Sequence, residues 1–486
     1  MTDPTAAVLD AVRYLQRVRP IDPAEIVQYV EEDRTPAEIA AVIREHAFEL
    51  KLVERADGTF VPVATDPLYP EPVTVEAIPE RYLAVLRTLL CDRYGEEWAI
   101  GETGDQLRAA IRACKAAYFA GEPVMYDEET ALGYSLYHFP ASYATMQYVL
   151  SDLDVVGLSS HHLKILEIGA GVGGATVGLI DRLGTDCLVS YRAIEPSEHA
   201  VEILRLVVER THPNVQADIE TRPIESTSLD DTYDLIVCSK VLNELEDPVS
   251  VMARLAAQLA PDGSLLAIEP ADERTSRGLR RIERSAVVRS PLEIYSPTVR
   301  LWPDREPTTD DWSFVEQEPI MVPEVQRRLD EAPRDSPDDR DPATGEFVNR
   351  SVRYSYSILR TDGTRRIAFE PDRRRWTPLA AVTDRITERV DVAAVKLSDS
   401  IASTGNPVYV IGDGSQTVEH FAIHTDATEW NGHLRAANYG DVLLVEDGLA
   451  LWNDDEEAVN LVVDRTATVH VVTPTASYHA DERLER

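Results

Sequence analysis

Cysteine is scarce in this 486-residue chain, and long apolar runs are absent. The four cysteines are widely spaced and form no CxxC pair, which argues against a disulfide framework or a zinc site. No window holds 18 or more consecutive apolar residues, and the first residues lack the basic segment and apolar run of a secretory signal. The sequence therefore predicts no metal, no membrane span and a cytoplasmic location.

Basic residues are also scarce compared with acidic residues. Lys and Arg total 48 against 85 Asp and Glu, for a formal net charge of −37, and lysine occurs only five times. Because 44% of the residues are hydrophobic, the acidic residues are expected on folded surfaces rather than in a disordered chain. This composition resembles that of halophilic proteins, which work in molar salt. There the Debye length is only about 3 Å, so net charge alone does not exclude a polyanionic partner.

Helical patterns dominate the first two segments. Residues 1–65 are predicted to form three helices and a hairpin, an order that resembles a winged helix. Winged helices often bind DNA, but the third predicted helix carries Arg44 among Glu38 and Glu45. We therefore expect a structural or protein-contact role there and no DNA binding. Residues 66–155 are predicted to form a helical cap.

The remaining sequence changes from alternating strands and helices to strands alone. Residues 156–362 alternate apolar strands with helices, which predicts a doubly wound, mostly parallel α/β sheet with an acidic loop at 331–346. A basic hinge at 363–384 follows. Residues 385–486 show short alternating strands and resemble an OB-fold barrel. The predicted fold class is thus multidomain, with a Rossmann-like core between a winged-helix region and an all-β barrel.

The clearest motif is LEIGAGVGG, which places glycines at a predicted strand-to-helix turn. Such a string also fits a nicotinamide-binding fold. However, Glu167 precedes the glycines by two positions, Glu195 ends the next strand, and YDLIVCSKVLNELEDP follows as an apolar strand and loop. Together with LAPDGSLLAIEP, these features resemble the seven-stranded S-adenosylmethionine methyltransferases over roughly residues 156–362.

This resemblance implies S-adenosylmethionine as the cofactor. The glycines would contact its methionine and ribose portions, and Glu195 would accept hydrogen bonds from both ribose hydroxyls. Ile224 and Glu225, at the end of the third strand, would border the adenine. Structural roles are the alternative for Glu167 and for Pro196. The full predicted set is Glu167, Gly169, Ala170, Gly171, Gly173, Glu195, Pro196, Ile224, Glu225 and Ser239.

The methyl acceptor is less well indicated. The segment after the fourth strand lacks the Asp/Asn-Pro-Pro signature for exocyclic amines, and the cysteine pair of carbon-5 pyrimidine methylation is also missing. Lys240, Asn243 and Glu244 are the polar residues there and hence the catalytic candidates, with Lys240 able to reach a carboxylate or phosphate and Glu244 a possible base. The alternative for Lys240 is a side chain that merely extends to solvent at a strand end.

Three further stretches point to a narrower family. They are ALGYSLYHFPASYATMQYVL before the glycines, VLNEL after the fourth strand, and VRYSYSILR before a basic segment and a small β domain. Over about residues 130–376 they resemble the methyltransferase-like assembly factors of the mitochondrial small ribosomal subunit and their prokaryotic relatives. That resemblance implies binding to small-subunit ribosomal RNA or its precursor. Those proteins carry cysteines suited to an iron–sulfur cluster, whereas the cysteines here lack such grouping, so no cluster is predicted.

Arginine-rich stretches supply the predicted RNA contacts. In exposed loops, arginine binds phosphate with two parallel hydrogen bonds, and tryptophan stacks on bases. We predict that PDRRRWTPL is an RNA-contact hinge; the alternative is that its arginines pair with surface carboxylates. The candidates are Arg280, Arg281, Arg284, Arg373, Arg374, Arg375 and Trp376.

Two functions therefore remain open at this point. The first is an S-adenosylmethionine-binding protein that acts on or binds small-subunit ribosomal RNA during ribosome assembly, with or without methyl transfer. The second is an active methyltransferase on a small molecule or protein, in which the accessory domains bind partners only.

Overall fold

The computed structural model describes residues 4–30, 34–122, 124–305, 308–333, 345–472 and 474. The chain forms two compact units, one of Met1–Val237 with Pro319–Arg350 and the other of Cys238–Glu318 with Ser351–Arg486. The division falls inside the predicted α/β segment, so that segment contributes to both units. Most of the predicted acidic loop lies outside the described residues, and the predicted domain boundaries stay predictions.

Short helices and a hairpin begin the first unit. They are α1 (Pro4–Leu15), α2 (Pro23–Ile26), α3 (Pro36–Glu45), α4 (Ala47–Leu50), β1 (Leu52–Glu54) and β2 (Phe60–Pro62). Thr35 and Glu38 form a capping box that starts α3, as the TPAE sequence favours. Arg44 pairs with Glu54 at 2.5 Å, so the one basic side chain in α3 is engaged by a carboxylate. Four helices precede the hairpin where three were predicted, and the winged-helix assignment stays a prediction.

Three longer helices follow, α5 (Glu80–Tyr94), α6 (Gly101–Ala120) and α7 (Glu128–Ser151). α7 is buried on most of its surface, as expected for a helix that is apolar nearly all round. Among the described residues, no helix combines the length and apolar character needed to cross a membrane.

The parallel strands of the first unit form a Rossmann-like arrangement. The elements are β3 (His162–Ile168), α8 (Gly174–Leu183), β4 (Leu188–Glu195), α9 (Glu198–Val208), β5 (Val215–Thr221) and β6 (Tyr233–Ser239). Their strand order is β5-β4-β3-β6, and β4 pairs in parallel with both β3 and β5. The carboxyl ends of these strands therefore share one edge, where ligands bind in open α/β sheets.

An antiparallel group belongs to the second unit. Its elements are α10 (Pro248–Ala256), β7 (Leu259–Pro270), α11 (Glu273–Arg289), β8 (Glu293–Ser296), β9 (Val315–Gln317) and β10 (Val352–Arg360), while the intervening α12 (Glu324–Glu331) lies in the first unit. β10 pairs with β7, β8 and β9. The β9–β10 pair is antiparallel.

A closed barrel completes the second unit. Its elements are α13 (Leu379–Val382), β11 (Arg389–Lys396), β12 (Val408–Gly412), β13 (His420–His424), α14 (His433–Ala436), β14 (Val442–Asn453), β15 (Ala458–Val463) and β16 (Thr468–Val472). Five strands close in the order β11-β12-β13-β15-β14, through β11–β14 pairing, and β13 and β15 are parallel. This closed five-strand barrel fits an OB-like barrel.

The aromatic candidates for a stacking face in this domain are Tyr409, Phe421, Tyr439 and Trp452, and their alternation in the sequence also allows a place in the core. Tyr409, Phe421 and Tyr439 are buried, whereas Trp452 is 41% exposed. Because three of the four rings pack inside the protein, only Trp452 could stack on a ligand.

Asp413 is the centre of a buried polar network in the second unit. Its Oδ2 accepts hydrogen bonds from Trp302 Nε1 at 2.7 Å and from the Leu379 N–H at 2.8 Å, and its Oδ1 accepts from the N–H and hydroxyl of Ser415. Gln416 Nε2 extends the network to Asp311 Oδ2 at 2.7 Å. The network fastens the segment around residue 302 to the barrel.

We expect Asp311→Asn to stabilise the protein at about pH 7 and not below about pH 4. Burial raises the pKa of Asp311 from 3.8 to about 6. Stability from the protonated acid is therefore fully present below pH 3.8 and is lost as the pH rises through about 6. Asparagine retains an oxygen for Gln416 and carries no charge. The gain should reach about 2–3 kcal/mol.

Urea unfolding of both proteins across this pH range measures the effect. The exposed Asp455→Asn variant is the control and should show no such gain. If the free energies of unfolding of Asp311→Asn and the unchanged protein differed by the same amount at every pH, the raised pKa of Asp311 would be contradicted.

Candidate functional site

Glycine shapes the turn between β3 and α8. Gly169, Gly171 and Gly173 have φ values of 64°, 54° and 87°, a left-handed backbone that glycine adopts without steric cost. A side chain at Gly173 would stand 2.8 Å from Leu204 and Val207, whereas nothing lies within 4 Å of that position at Gly171. The turn thus packs closely on α9 at Gly173, and its backbone is open to a ligand at Gly171.

Glu167 lies wholly inside the protein below this turn. Its Oε2 accepts hydrogen bonds from the Thr176 hydroxyl at 2.8 Å and the Tyr191 hydroxyl at 2.7 Å. Among the described residues, its buried Oε1 has no hydrogen-bond partner. Burial raises the pKa of Glu167 to about 7. One oxygen therefore joins β3 to α8 and β4, and a cofactor role for Glu167 stays a prediction.

Glu195 ends β4 beside the glycine turn. Its Oε2 accepts from the Gly171 N–H and its Oε1 from the Ser197 N–H, both at 2.9 Å. Burial raises its pKa, against the lowering effect of those two N–H groups. A carboxylate has about four acceptor positions, so two remain for ribose hydroxyls. Ala170 is buried nearby in the turn, and Pro196 is exposed where the chain turns toward α9.

The predicted adenine border differs in detail from the sequence expectation. β5 ends at Thr221, and Ile224 and Glu225 belong to a short 3₁₀ turn after it rather than to the strand end. Pro223 explains the break, because it has no N–H to continue the strand ladder. Ile224 is buried and Glu225 exposed. Ser239 ends β6, and its cofactor contact stays a prediction.

The predicted catalytic residues lie on the loop after β6. Lys240 has a left-handed backbone, with φ 62°, and its N–H donates to the Ile268 carbonyl at 2.7 Å. Burial lowers the pKa of its amine to about 8. Asn243 Nδ2 donates to the Thr275 carbonyl at 3.1 Å, and its Oδ1 leaves no room for a side chain at Gly278. Asn243 thus attaches the loop to α11.

Glu269 contacts this loop, and the sequence analysis missed it. It lies 2% exposed near the end of β7, and its Oε1 accepts from the N–H groups of Leu242 at 3.0 Å and Asn243 at 3.4 Å. Burial raises its pKa to about 8. The acid in LLAIEP, at the end of an apolar strand, was the available signal. Catalytic roles for Lys240, Asn243 and Glu244 stay predictions.

Three of the arginines predicted to contact RNA lie on α11 and pair with carboxylates of the protein. Arg280 is buried and pairs with Glu283 at 2.6 Å, so it is not available to RNA. Arg281 and Arg284 approach Asp310 at 2.7 and 3.4 Å. This corrects the sequence-based prediction for Arg280, because α11 turns that side chain inward.

The hinge arginines pair with carboxylates, as the alternative interpretation held. Arg373 pairs with Asp304, and Arg375 with Glu446. Exposed pairs of this kind contribute little stability, but they engage the guanidinium groups that RNA would need.

Trp376 does not serve as a base-stacking residue. It is 5% exposed and packs in an apolar cluster with Leu301 and Trp302. Its place in the core corrects the prediction that it would meet RNA. Arg374 is exposed, and RNA contact there stays a prediction.

Comparisons with known proteins agree with this geometry. Residues 144–305 match the family model described as a methyltransferase domain. Residues 5–56 and 380–472 match the N-terminal and C-terminal domains of a domain of unknown function, DUF8157. The glycine turn, the two carboxylates and the first match together define an S-adenosylmethionine-dependent methyltransferase domain. Within the described ranges, no group of three or more His, Cys, Asp or Glu side chains could hold a metal ion.

Similar curated proteins include two large fungal synthases. The hybrid PKS-NRPS synthetase LUC5 of a Fusarium species is 33% identical over 113 residues, which cover 22% of this chain and 3% of that protein. The squalestatin hexaketide synthase of a Phoma species is 34% identical over 125 residues, which cover 24% of this chain and 5% of that protein. The chain thus spans only a few percent of these relatives' length.

Solved structures with a similar fold include the plantazolicin methyltransferase BpumL with S-adenosylhomocysteine bound. It is 16% identical, with a TM-score of 0.23, over 43% of this chain and 65% of that one. A methyltransferase from Clostridium acetobutylicum has a TM-score of 0.20 at 14% identity, over 23% of this chain and 45% of that one. Likeness at this level carries no argument about substrate. Neither set of similar proteins supports the ribosomal assembly-factor resemblance.

Proposed function

We propose that this protein transfers a methyl group from S-adenosylmethionine to a small-molecule acceptor. The observation that carries the proposal is the open glycine turn beside Glu195, within a segment that matches a methyltransferase domain. The curated relatives named as polyketide or hybrid synthases favour a small molecule over ribosomal RNA. The accessory domains would then bind partners or substrate.

The residues present fit the cofactor and suggest a division of roles. Glu195 would hold the ribose hydroxyls, and the backbone of Gly171 would lie against the cofactor, while the buried Glu167 would support the turn from below. When bound, the cofactor supplies a methyl group activated by a cationic sulfonium. Lys240, whose pKa is lowered to about 8, would take a proton at Nζ when its amine is neutral. Glu269 would hold the loop that carries Lys240.

Methyl-labelled S-adenosylmethionine tests the acceptor class. The protein is incubated with a cell extract separated into small molecules, proteins and RNA, at low and at molar salt. We expect label in the small-molecule fraction and none with a Glu195→Ala variant. Label confined to ribosomal RNA would overturn the small-molecule proposal in favour of the ribosomal function, and label confined to proteins would also overturn it.

A further inference from the structure

A small cavity in the second unit is lined by residues of α11 and β8. Its volume is about 100 Å³. Because a water molecule needs about 10–15 Å³ of cavity, there is room for several waters or for a small ligand. The remaining walls come from the chain that follows β8 and the chain that follows β10. All of these segments belong to one unit, and none is part of the glycine turn.

Positive charge predominates in this cavity. Among the described residues that line it, Arg284, Arg300 and Arg365 stand against one carboxylate, Glu293, which is exposed. The balance is the reverse of that in the whole chain, where acidic residues outnumber basic ones by 85 to 48. The three arginines are half-buried, so water weakens their mutual repulsion less than it would at an open surface. An anion bound between them would offset that repulsion.

Nearby carboxylates leave positive charge on the cavity wall. Asp310 lies 3.4 Å from Arg284 but also pairs with Arg281 at 2.7 Å, so one negative charge serves two positive ones. Arg365 forms no salt bridge with any residue that the structure describes, and its Nη1 donates to the Arg300 carbonyl at 3.1 Å. A guanidinium has five N–H groups, so Arg365 keeps donors for a ligand.

The chain after β10 is fastened to the chain after β8, which holds the cavity walls in place. The Arg366 N–H donates to the Tyr295 carbonyl at 3.0 Å, and the Ile367 N–H donates to the Thr298 hydroxyl at 3.3 Å. Thr298 itself lines the cavity and is 2% exposed. A ligand would therefore bind without first ordering these segments, which lowers the entropic cost of binding.

Apolar side chains line the cavity beside the arginines. Val287 and Ile294 are half-buried, and Val288 is 83% exposed. The cavity thus combines apolar surface with a few charged donors, as sites for small organic molecules do.

We propose that this cavity binds a small organic anion. Its carboxylate or phosphate group would meet the arginines, and its short apolar part would meet Val287, Val288 and Ile294. Arginine suits either charged group, because its planar fork donates two parallel hydrogen bonds to both. The site goes beyond the proposed methyl transfer and does not depend on it.

Calorimetric titration of the full chain with butyl phosphate and with butyrate, at one fixed salt concentration, tests the proposal. We expect saturable binding, and Arg365→Gln should raise Kd by about 10- to 100-fold, because it removes hydrogen bonds to a charged group. Arg465→Gln is the matched control, since Arg465 belongs to the same unit and its side chain is 77% exposed. It should stay within about twofold of the unchanged protein. The probe that binds more tightly identifies the charged group.

Inorganic phosphate separates the charged part of the site from the apolar part. Val288→Ser should raise the Kd of butyl phosphate by about two- to fivefold and leave that of inorganic phosphate unchanged. Because Val288 is exposed, this variant should fold. If circular dichroism shows that Arg365→Gln is unfolded, Val288→Ser must still weaken butyl phosphate binding for the inference to survive.

Three results would overturn the site. The first is the absence of saturable binding of butyl phosphate and of butyrate up to about 10 mM. The second is a folded Arg365→Gln variant that binds both probes as the unchanged protein does. The third is an equal loss of affinity in Arg465→Gln and Arg365→Gln, which would indicate general attraction between charges rather than a site.

Discussion

Replacing Glu195 by alanine is expected to weaken S-adenosylmethionine binding by at least about 100-fold. Two hydrogen bonds from ribose hydroxyls to a charged group contribute about 1.5–3 kcal/mol each, and about 1.4 kcal/mol corresponds to a tenfold change in Kd. The substitution also removes the acceptor for the Gly171 and Ser197 N–H groups. The glycine turn would thus lose its shape as well as its ribose contact.

Titration with S-adenosylhomocysteine measures the loss. Glu198→Gln is the matched control, because Glu198 is an exposed acid three positions along the chain. Glu195→Gln should fall between the control and the alanine variant, since an amide accepts hydrogen bonds without a negative charge. Binding by the alanine variant within about threefold of the unchanged protein would show that the cofactor lies elsewhere.

Asp413→Ala is expected to lower the free energy of unfolding by about 3–5 kcal/mol. The substitution leaves Trp302 Nε1 and the Leu379 N–H without their acceptor inside the protein, along with both Ser415 groups. Each unsatisfied buried donor costs about 1–3 kcal/mol, and partial relaxation reduces the sum. The effect is on stability because the network joins the barrel to the segment around Trp302.

Urea unfolding followed by tryptophan fluorescence measures this change. Asp413→Asn keeps the shape and one acceptor oxygen, so its loss should be smaller. Asp455→Ala, at an exposed turn before β15, is the control and should change stability by less than about 0.5 kcal/mol. A loss no greater than the control's would mean that water replaces the network.

Predictions from the sequence succeeded where neighbouring residues decide the structure. The capping box at Thr35 and Glu38 spans four residues, and three of the four glycines of LEIGAGVGG adopt a left-handed backbone at the strand-to-helix turn. The parallel strands follow from continuous apolar runs. The cofactor was implied by the resemblance of this motif, together with the acid that ends β4, to the S-adenosylmethionine methyltransferases.

What the sequence by itself determined about this protein is the methyltransferase domain and its cofactor, because these depend on local patterns. Only the tertiary structure decided that Trp376 and Arg280 are buried, since Trp376 packs with Leu301 and Trp302, and Arg280 donates to the Tyr356 carbonyl as well as to nearby Glu283. Glu269 is a further case, because it lies on β7 and accepts a hydrogen bond from the Leu242 N–H in the loop after β6. Burial and long-range pairing depend on how elements pack, and a basic stretch in the sequence does not show whether its arginines face solvent or carboxylates.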